Sequence, residues 1–113
     1  MKFTTKDSGK RIKYKSGFNR DIQDGKPRYD LIPLQMLKRL AELYERGAKK
    51  YGENNWQKAN SEEEFTRFKS SAFRHFIQWM SNEEDEDHAS AVVFNIFAYE
   101  WNKNYKNYKN DKR

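Results

Sequence analysis

The sequence predicts an all-α fold with three main helices, at about residues 33–51, 62–81 and 84–105, behind an extended basic arm. Apolar residues recur every three or four positions in the first two segments, which is the period of a helix with one buried face. The third segment is apolar on nearly every side, as in a helix at the centre of a fold. Residues 1–31 show no helical period, and weak alternation around Arg11–Tyr14 leaves room for a small hairpin.

The first helix is predicted to begin at Pro33, because the N–H that proline lacks would have no partner in the first turn of a helix. Gly52 provides the stop at the other end. One stripe of side chains at helical spacing is expected to face the core. It consists of Leu37, Leu40, Tyr44, Ala48 and Tyr51.

The second helix is predicted to start with a capping box, in which Ser61 and Glu64 satisfy each other's backbone N–H groups. Ser81 and Asn82 are expected to end the helix. Its buried face is predicted to consist of Phe65, Phe68, Ala72, Phe76, Trp79 and Met80.

The third helix has apolar side chains all round, and two short helices cannot cover it completely in a single chain. These residues are Val92, Val93, Phe94, Ile96, Phe97, Ala98 and Trp101. Only 35% of the chain is apolar and 35% is charged, so one copy has few residues to bury. We therefore expect a homodimer or homotetramer, in which oligomerisation completes the core.

Length and composition indicate one small domain in the cytoplasm. The domain is expected to comprise an arm (1–31), a helical body (32–102) and a basic tail (103–113). The absence of cysteine excludes disulfides and thiolate metal sites and fits a reducing compartment. No apolar run reaches about 18 residues and no signal-peptide pattern is present, so we expect neither membrane insertion nor secretion.

The net charge of +6 is unevenly distributed along the chain. Residues 1–31 contain nine Lys and Arg against four Asp, and residues 103–113 contain five against one Asp, whereas the body is acidic. Basic arms around an acidic body favour an anionic partner, with a nucleotide better supported than a nucleic acid. For the tail, the simpler interpretation is a solvated charge run at the end of a helix.

Two polar side chains on the third helix need partners if that helix is central. His88 and Asn95 are seven residues apart, so they share one helix face with Glu84. An interhelical hydrogen bond would satisfy them, since a buried polar group without a partner costs about 1–3 kcal/mol. However, five acids precede His88, and a divalent cation on a triphosphate needs carboxylate ligands. Glu84 and Asp85 are the predicted ligands in this acidic run.

Two segments rich in glycine, cations and aromatics flank the first helix, at residues 25–33 and 47–56. Glycine lets a backbone approach a ligand closely, cations neutralise phosphates, and aromatic rings stack on planar groups. This combination favours a site for a phosphorylated, planar ligand. The side chains concerned are Lys26, Arg28, Lys49, Lys50, Tyr51, Asn55 and Trp56.

Together with Arg74, His75 and the stretch from His88 to Asn95, these segments resemble the phage dATP/dGTP diphosphohydrolases, relatives of the all-α NTP pyrophosphohydrolases of the MazG kind. The resemblance extends from about residue 8 to about residue 100. It implies hydrolysis of a purine deoxynucleoside triphosphate to the monophosphate and pyrophosphate, with Mg²⁺ or Mn²⁺ as cofactor. It also implies a phage protein that acts in the cytoplasm of an infected bacterium.

The resemblance further implies roles for individual residues. In the relatives an aspartate that binds metal usually occupies the position of His88. Metal binding here falls to Asp85, His88, Glu84 and Glu45, of which Asp85, His88 and Glu45 also act in catalysis. Nucleotide contacts fall to Lys26, Arg28, Lys49, Lys50, Tyr51, Asn55, Trp56, Arg74, His75 and Asn95. The arm would close over the triphosphate as a lid.

Helical phase divides the charged residues of the first two helices between different faces. Glu45 borders the core stripe and can pair with Lys49, four residues later. Glu42 and Glu45 are spaced like the E-x-x-E half of the metal site in the relatives. However, Glu42 points almost opposite the stripe, where a surface ion pair with Arg46 is the simpler interpretation unless a partner subunit covers that face. In the second helix, Arg74 is expected to face outward.

Two other functions stay open. The same cations and aromatics would serve equally well to hold a nucleotide, or a nucleotide-like signal, without cleaving it. Some relatives carry this module ahead of a second pyrophosphohydrolase-like domain, and we expect no such domain within these 113 residues. The last alternative is a nucleic-acid-binding accessory protein that uses its basic arms, which explains the charge but not the polar face of the third helix.

Overall fold

The structure, a computed structural model, describes residues 2–106. Within this range the chain forms two compact units, divided between Leu31 and Ile32, and each is described by itself. Residues 107–113, which include most of the predicted basic tail, lie outside the described residues. The expected single domain of arm, body and tail stays a prediction.

The first unit contains a hairpin of two short antiparallel strands, β1 (Arg11–Lys13) and β2 (Asn19–Asp21). Its turn places Gly17 at φ +91°, a conformation that glycine adopts without steric cost. Arg11 and Asp21 are opposite each other in the register and form an ion pair at 3.4 Å. The extended arm therefore does contain the small hairpin that the sequence allowed.

The second unit is a bundle of three helices, α1 (Leu34–Tyr51), α2 (Glu62–Met80) and α3 (His88–Asn104). A short 3-10 turn, Asn55–Lys58, lies between α1 and α2. α3 packs against both other helices and is the central one. The predicted all-α architecture is confirmed. Among the described helices, none is long and apolar enough to cross a membrane.

The first two helices begin close to the predicted positions. Pro33 is the N-cap of α1, and the N–H of Gly52 closes the other end on the carbonyl of Ala48 at 2.8 Å. At the start of α2, the Ser61 hydroxyl oxygen accepts the backbone N–H of Glu64 at 3.2 Å. The same hydroxyl donates to the Glu64 carboxylate at 2.7 Å. That carboxylate accepts the backbone N–H of Asn60 and not that of Ser61, at 3.2 Å, so the Ser61 half of the predicted capping box is confirmed and the reciprocal bond is not.

The predicted start of α3 at about residue 84 is wrong, because the helix begins at His88. Asp87 is its N-cap, and the carboxylate accepts both the backbone N–H of Ser90 at 3.2 Å and its hydroxyl at 2.9 Å. Asn82, at a positive φ of 58°, turns the chain out of α2. The acidic residues 83–86 therefore form a link between two helices and not the first turn of the third.

The buried face of α3 is small and polar, although the helix is central. Its buried residues are His88, Ser90, Ala91, Asn95, Ala98 and Asn102. Large apolar side chains lie elsewhere on the helix, where Ile96 and Phe97 are 48% and 52% exposed. Small side chains on the buried face let a neighbouring helix approach closely. The large apolar side chains that the sequence predicted for the core therefore lie outside it.

Several residues predicted in the core are exposed in the single chain, and that prediction is wrong for one copy. They are Leu37, Tyr51, Phe76, Trp79 and Met80. The physical reason is that an amphipathic stripe covers a wide arc of a helix, whereas the face that meets α3 is narrow. The other predicted core residues of α1 and α2 are partly buried: Leu40, Tyr44, Ala48, Phe65, Phe68 and Ala72.

Candidate functional site

A cleft of about 760 Å³ lies between α1, α2 and the acidic link before α3, and we call it the main cleft. All of its lining residues belong to the second unit. Charged side chains of both signs line it: Arg39, Arg46, Lys50 and Arg74 with Glu42, Glu84, Asp85, Glu86 and Asp87. His75 and Asn95 add polar groups, so the cleft is suited to a charged ligand.

One face of α1 supplies four of these side chains. Arg39, Glu42, Arg46 and Lys50 are three or four residues apart, so they follow one another along one side of the helix. The expected surface ion pair between Glu42 and Arg46 is wrong. Both side chains line the main cleft, and no ion pair joins them in the described part of the chain.

Most of the charges in the main cleft are not neutralised by the protein itself. Within residues 2–106, six of its side chains take part in no ion pair: Glu42, Glu84, Glu86, Arg46, Lys50 and Arg74. Arg74 was expected to face outward, but it lines the cleft and donates to Gln78 at 3.4 Å. Carboxylates and cations that face one cavity without pairing can attract a metal cation and an anionic ligand together.

One pair of charges in the main cleft is paired and structural. Two nitrogens of the Arg39 guanidinium donate to the two carboxylate oxygens of Asp87 at 2.7 and 3.0 Å. This bidentate contact holds the pKa of Asp87 well below the usual range of a carboxyl group. Because Asp87 also caps α3, the pair joins the start of α3 to α1.

The two histidines contact each other behind the wall of the cleft. Nδ1 of His75 and Nδ1 of His88 are 2.9 Å apart, and Nε2 of His88 is 2.7 Å from Oδ1 of Asp85. The bond to His88 lowers the pKa of Asp85. Burial, and then the positive charge of Arg74, lowers the pKa of His75. These contacts favour the ionised form of Asp85 and the neutral form of His75.

Within residues 2–106, one group of three possible metal ligands comes close together. Ligand atoms of Glu83, Asp85 and His88 all lie within 4.8 Å of one another. However, both ring nitrogens of His88 already make hydrogen bonds, so a metal there would have to replace the bond to Asp85. The unpaired carboxylates of the main cleft, Glu42 and Glu84 among them, are oxygen donors of the kind that Mg²⁺ prefers, but in the described residues they do not form a group of three ligand atoms within 4.8 Å.

A second cavity of about 390 Å³ adjoins the main cleft, and Gly47, Tyr51 and Phe94 line both. It contains the predicted residues Glu45, Asn55 and Trp56. Glu45 forms an ion pair with Lys49 at 3.0 Å, as helical spacing predicted, and neither residue lines the main cleft. The structure thus separates Glu45 from the other predicted metal ligands.

Trp56 is packed in an aromatic cluster. Its ring lies edge-to-face against Trp101, Tyr44 and Phe94, with centroids 5.2, 6.0 and 6.4 Å away. These contacts hold the indole as a wall of the second cavity, where it can contact a planar ligand only on the side that the cluster leaves open.

Asn95 and the predicted cations of the arm have partners of their own. The Asn95 amide donates to the carbonyl of Ala91 at 2.8 Å, and its side chain lines the main cleft. In the first unit, Arg28 binds Asp30 at 2.7 Å, and Lys26 lies 4.0 Å from Asp21.

Sequence reasoning missed Arg39, Glu86 and Asp87 and undervalued Glu42 and Arg46. The signal that could have found them was the run of charges on α1 at helical spacing, which continues to Lys50. Predicted residues that the structure does bring to the main cleft are Glu84, Asp85, Lys50, Tyr51, Arg74, His75 and Asn95.

The comparison with known proteins agrees with the charged cleft. No curated protein and no solved structure shows significant similarity to the chain. A family model described as dATP/dGTP diphosphohydrolase, N-terminal, matches residues 16–112. The match covers most of the sequence and includes every residue of the main cleft, so the resemblance is confirmed and the chain belongs to the dATP/dGTP diphosphohydrolase N-terminal family.

Proposed function

We propose that this protein is a metal-dependent purine dNTP pyrophosphohydrolase, which cleaves dATP or dGTP to the monophosphate and pyrophosphate. Membership of the family supports a nucleotide hydrolase. The observation that carries the proposal is the main cleft, in which unpaired carboxylates and unpaired cations face one space. A triphosphate with a divalent cation needs both kinds of group at once.

Carboxylate oxygens, the donors that Mg²⁺ and Mn²⁺ prefer, line the main cleft. Glu42 on α1 and Glu84 and Glu86 on the acidic link would hold such an ion, since their carboxylates have no other ion pair in residues 2–106. When bound, the cation supplies positive charge against the negative charge that develops on the phosphates. Pyrophosphate release from a triphosphate depends mainly on such electrostatic stabilisation and on positioning.

The cations of the protein complete the phosphate site. Arg46 and Lys50 project from α1 and Arg74 from α2, so they approach the cleft from two helices. A guanidinium can bind two phosphate oxygens at once, which orients the triphosphate as well as neutralising it. The purine would lie in the second cavity, beside Asn55 and the Trp56 wall, because that cavity adjoins the main cleft.

The test is incubation of the purified protein with each dNTP and Mg²⁺ or Mn²⁺, followed by separation of the products by ion exchange. We expect monophosphate and pyrophosphate from dATP or dGTP, and no product in the presence of EDTA. If the nucleotides bind but stay intact over hours with either metal, the protein captures nucleotides and does not hydrolyse them.

Capture without cleavage is the second candidate, because the matching family model describes an N-terminal region. In that case the main cleft would bind the metal–nucleotide complex tightly without hydrolysing it. Substitutions in the cleft would then change the affinity for the nucleotide, and no rate of hydrolysis would be measured. Calorimetry with dGTP and Mg²⁺ distinguishes the two, since a hydrolase releases heat continuously and a capture protein saturates.

The exposed apolar side chains support a homo-oligomer. Phe73 on α2 is 68% exposed, and Trp79 and Phe97 are about half exposed. Covering such side chains with a second copy would remove them from water, which is favourable by about 25 cal/mol per Å². Light scattering should give a mass of at least twice 13.7 kDa at micromolar concentration. A mass equal to one chain would contradict this proposal.

A further inference from the structure

One face of the hairpin in the first unit carries two aromatic rings beside an arginine. The N–H of Tyr14 donates to the carbonyl of Phe18 at 2.9 Å, so the ladder continues one step beyond the two strands. Side chains alternate between the two faces of a strand, and Ile12 is opposite Arg20 in the register. The four side chains on this side of the hairpin are therefore Ile12, Tyr14, Phe18 and Arg20, and we call them the aromatic face.

The two rings of the aromatic face contact each other and stay half exposed. Their centroids are 5.5 Å apart and their planes are inclined by 37°. The exposed fraction is 51% for Tyr14 and 54% for Phe18. The guanidinium carbon of Arg20 lies 6.0 Å from the centroid of the Phe18 ring. Each ring therefore keeps surface for a further planar group, with a positive charge beside it.

Most cations of the first unit have no acidic partner. Residues 2–31 contain nine Lys and Arg against four Asp. Arg11, Lys26 and Arg28 form ion pairs with three of these aspartates. The other six cations form no ion pair in the described part of the chain: Lys2, Lys6, Lys10, Lys13, Lys15 and Arg20. This unit therefore presents positive charge that the protein does not neutralise, which favours a polyanionic partner.

A hollow of about 510 Å³ in the first unit connects the free cations with the aromatic face. Lys6 and Arg20 line the hollow, and neither forms an ion pair among the described residues. Its two aspartates, Asp7 and Asp21, are both paired with Arg11. Because Arg20 belongs to the hollow and to the aromatic face, positive charge and ring surface lie side by side.

We propose that the aromatic face and the unpaired cations of the first unit bind single-stranded nucleic acid. Bases would stack on Tyr14 and Phe18, and the phosphates would contact Arg20 and the lysines. A single strand needs both parts of this surface, since it exposes base planes and carries one charge for each nucleotide. An acidic protein would use the cations and leave the rings uncovered, and the bases of a duplex are already stacked on one another.

The inference does not rest on the proposed hydrolysis. No residue of the aromatic face lines the main cleft. The family match begins at residue 16, so β1 and Tyr14 precede the region that identifies the family. The two proposals can therefore fail separately.

The first test measures binding of the full chain to a fluorescent oligo(dT) of about 15 nucleotides by anisotropy. We expect saturable binding, and log K should fall with log salt by about 0.7 for each phosphate that is neutralised. An oligo(U) of equal length should bind within about threefold, since stacking and charge do not read the sugar. A duplex of the same length should bind at least about fivefold more weakly, because its bases cannot stack on the rings. Absent binding, or equal binding of the duplex, would overturn the inference.

The second test removes a ring and keeps an apolar contact across the hairpin. Phe18→Leu should weaken the binding of oligo(dT) by about tenfold, since one base loses its stacking partner. Phe3→Leu is the matched control, because Phe3 is 86% exposed in the same unit and lies outside the hairpin. It should change the affinity by less than about twofold. Equal effects of the two substitutions would overturn the inference. The amide signal of Tyr14 in a ¹H–¹⁵N spectrum reports whether the hairpin is retained.

The third test leaves both rings in place, so it applies even if Phe18→Leu loses the hairpin. Arg20→Gln should weaken binding and reduce the salt slope by about 0.7, the value for one phosphate contact. Lys38→Gln removes the same charge from an exposed position of α1 outside the main cleft, and it should leave the slope unchanged. Equal slopes in these two variants would overturn the inference.

Three further probes identify the other possible occupants of this surface. Polyglutamate that binds as tightly as oligo(dT) would show that charge alone acts. Vesicles of phosphatidylserine and phosphatidylcholine that bind the parent and not Phe18→Leu would assign the surface to lipid. Displacement of oligo(dT) by dGTP at equal affinity would assign the cations to the nucleotide. Each of these results would overturn the inference, whereas a failure to hydrolyse dGTP would overturn the proposed function alone.

Discussion

Two faces of α1 carry the same types of charged residue, which are paired on one face and unpaired on the other. On one face Glu45 and Lys49 neutralise each other at 3.0 Å beside the second cavity. On the other, Glu42, Arg46 and Lys50 line the main cleft without an ion pair anywhere in residues 2–106. The charges of a solvated ion pair already neutralise each other, whereas unpaired charges of both signs in one cleft are suited to a charged ligand. The comparison teaches that the partner of a charge, and not its position in a motif, indicates function.

The largest expected effect is a difference in kcat/KM between variants of Glu42 and Glu45. Glu42→Gln should lower kcat/KM for dGTP by about 100-fold, because it removes an oxygen charge that would hold the metal opposite the phosphates. Glu45→Gln should change it by less than about twofold, because Glu45 does not line the main cleft and pairs with Lys49 at 3.0 Å. Steady-state kinetics with Mg²⁺ measures both. Equal losses in the two variants would remove the distinction between the faces.

The adjacent lysines sharpen the same comparison with binding as the measured quantity. Lys50→Met should weaken dGTP binding by about tenfold, or about 1.4 kcal/mol, since Lys50 lines the main cleft. Lys49→Met should leave the dissociation constant nearly unchanged. Calorimetry with a non-hydrolysable dGTP analogue gives both values, and a larger effect at Lys49 would place the phosphates outside the main cleft.

Asp87 shows what a paired charge in the main cleft does for stability. Asp87→Ala removes both the cap of α3 and the pair with Arg39, and it should lower the free energy of unfolding by about 1–2 kcal/mol. Asp87→Asn keeps a capping oxygen and should lose less. Urea denaturation followed by circular dichroism measures the difference. If both variants unfold alike, the cap contributes nothing.

The pH dependence of stability tests the same pair. The Arg39 contact makes the pKa of Asp87 lower in the folded chain than in the unfolded chain. Its contribution is therefore fully present above the ordinary carboxyl pKa of about 3.9 and is lost as the pH falls towards the folded value. The stability of the parent should decrease more steeply below about pH 4 than that of Asp87→Asn. Parallel curves would mean that the ion pair is negligible.

The smallest effect is expected at the exposed pair of Glu45 and Lys49. Their side chains are 63% and 77% exposed, and such pairs contribute little because water screens them. Removing either side chain should change the free energy of unfolding by less than about 0.5 kcal/mol. A larger loss would show that this face of α1 is covered, for example by a second copy of the chain.

Much of the fold follows from local patterns. Pro33, Gly52 and the capping box of Ser61 and Glu64 mark helix ends through contacts only three or four residues long. Such signals depend on neighbours along the chain, so the sequence contains them completely. The start of α3 was misjudged because its cap, Asp87, is one of five consecutive acids, and the bond from Arg39 that distinguishes it spans 48 residues.

What the sequence by itself determined is the class of the protein: three amphipathic or apolar helices, their caps, and motifs specific enough to identify the family. The tertiary structure alone decided which charges belong to the site. Helical phase gives the angle between Glu42 and Glu45 but not which of them faces α2 and the acidic link, because that depends on how whole helices pack. The contact of His75 with His88 is of the same kind: two residues of separate helices form a buried hydrogen bond only because packing brings their Nδ1 atoms to 2.9 Å.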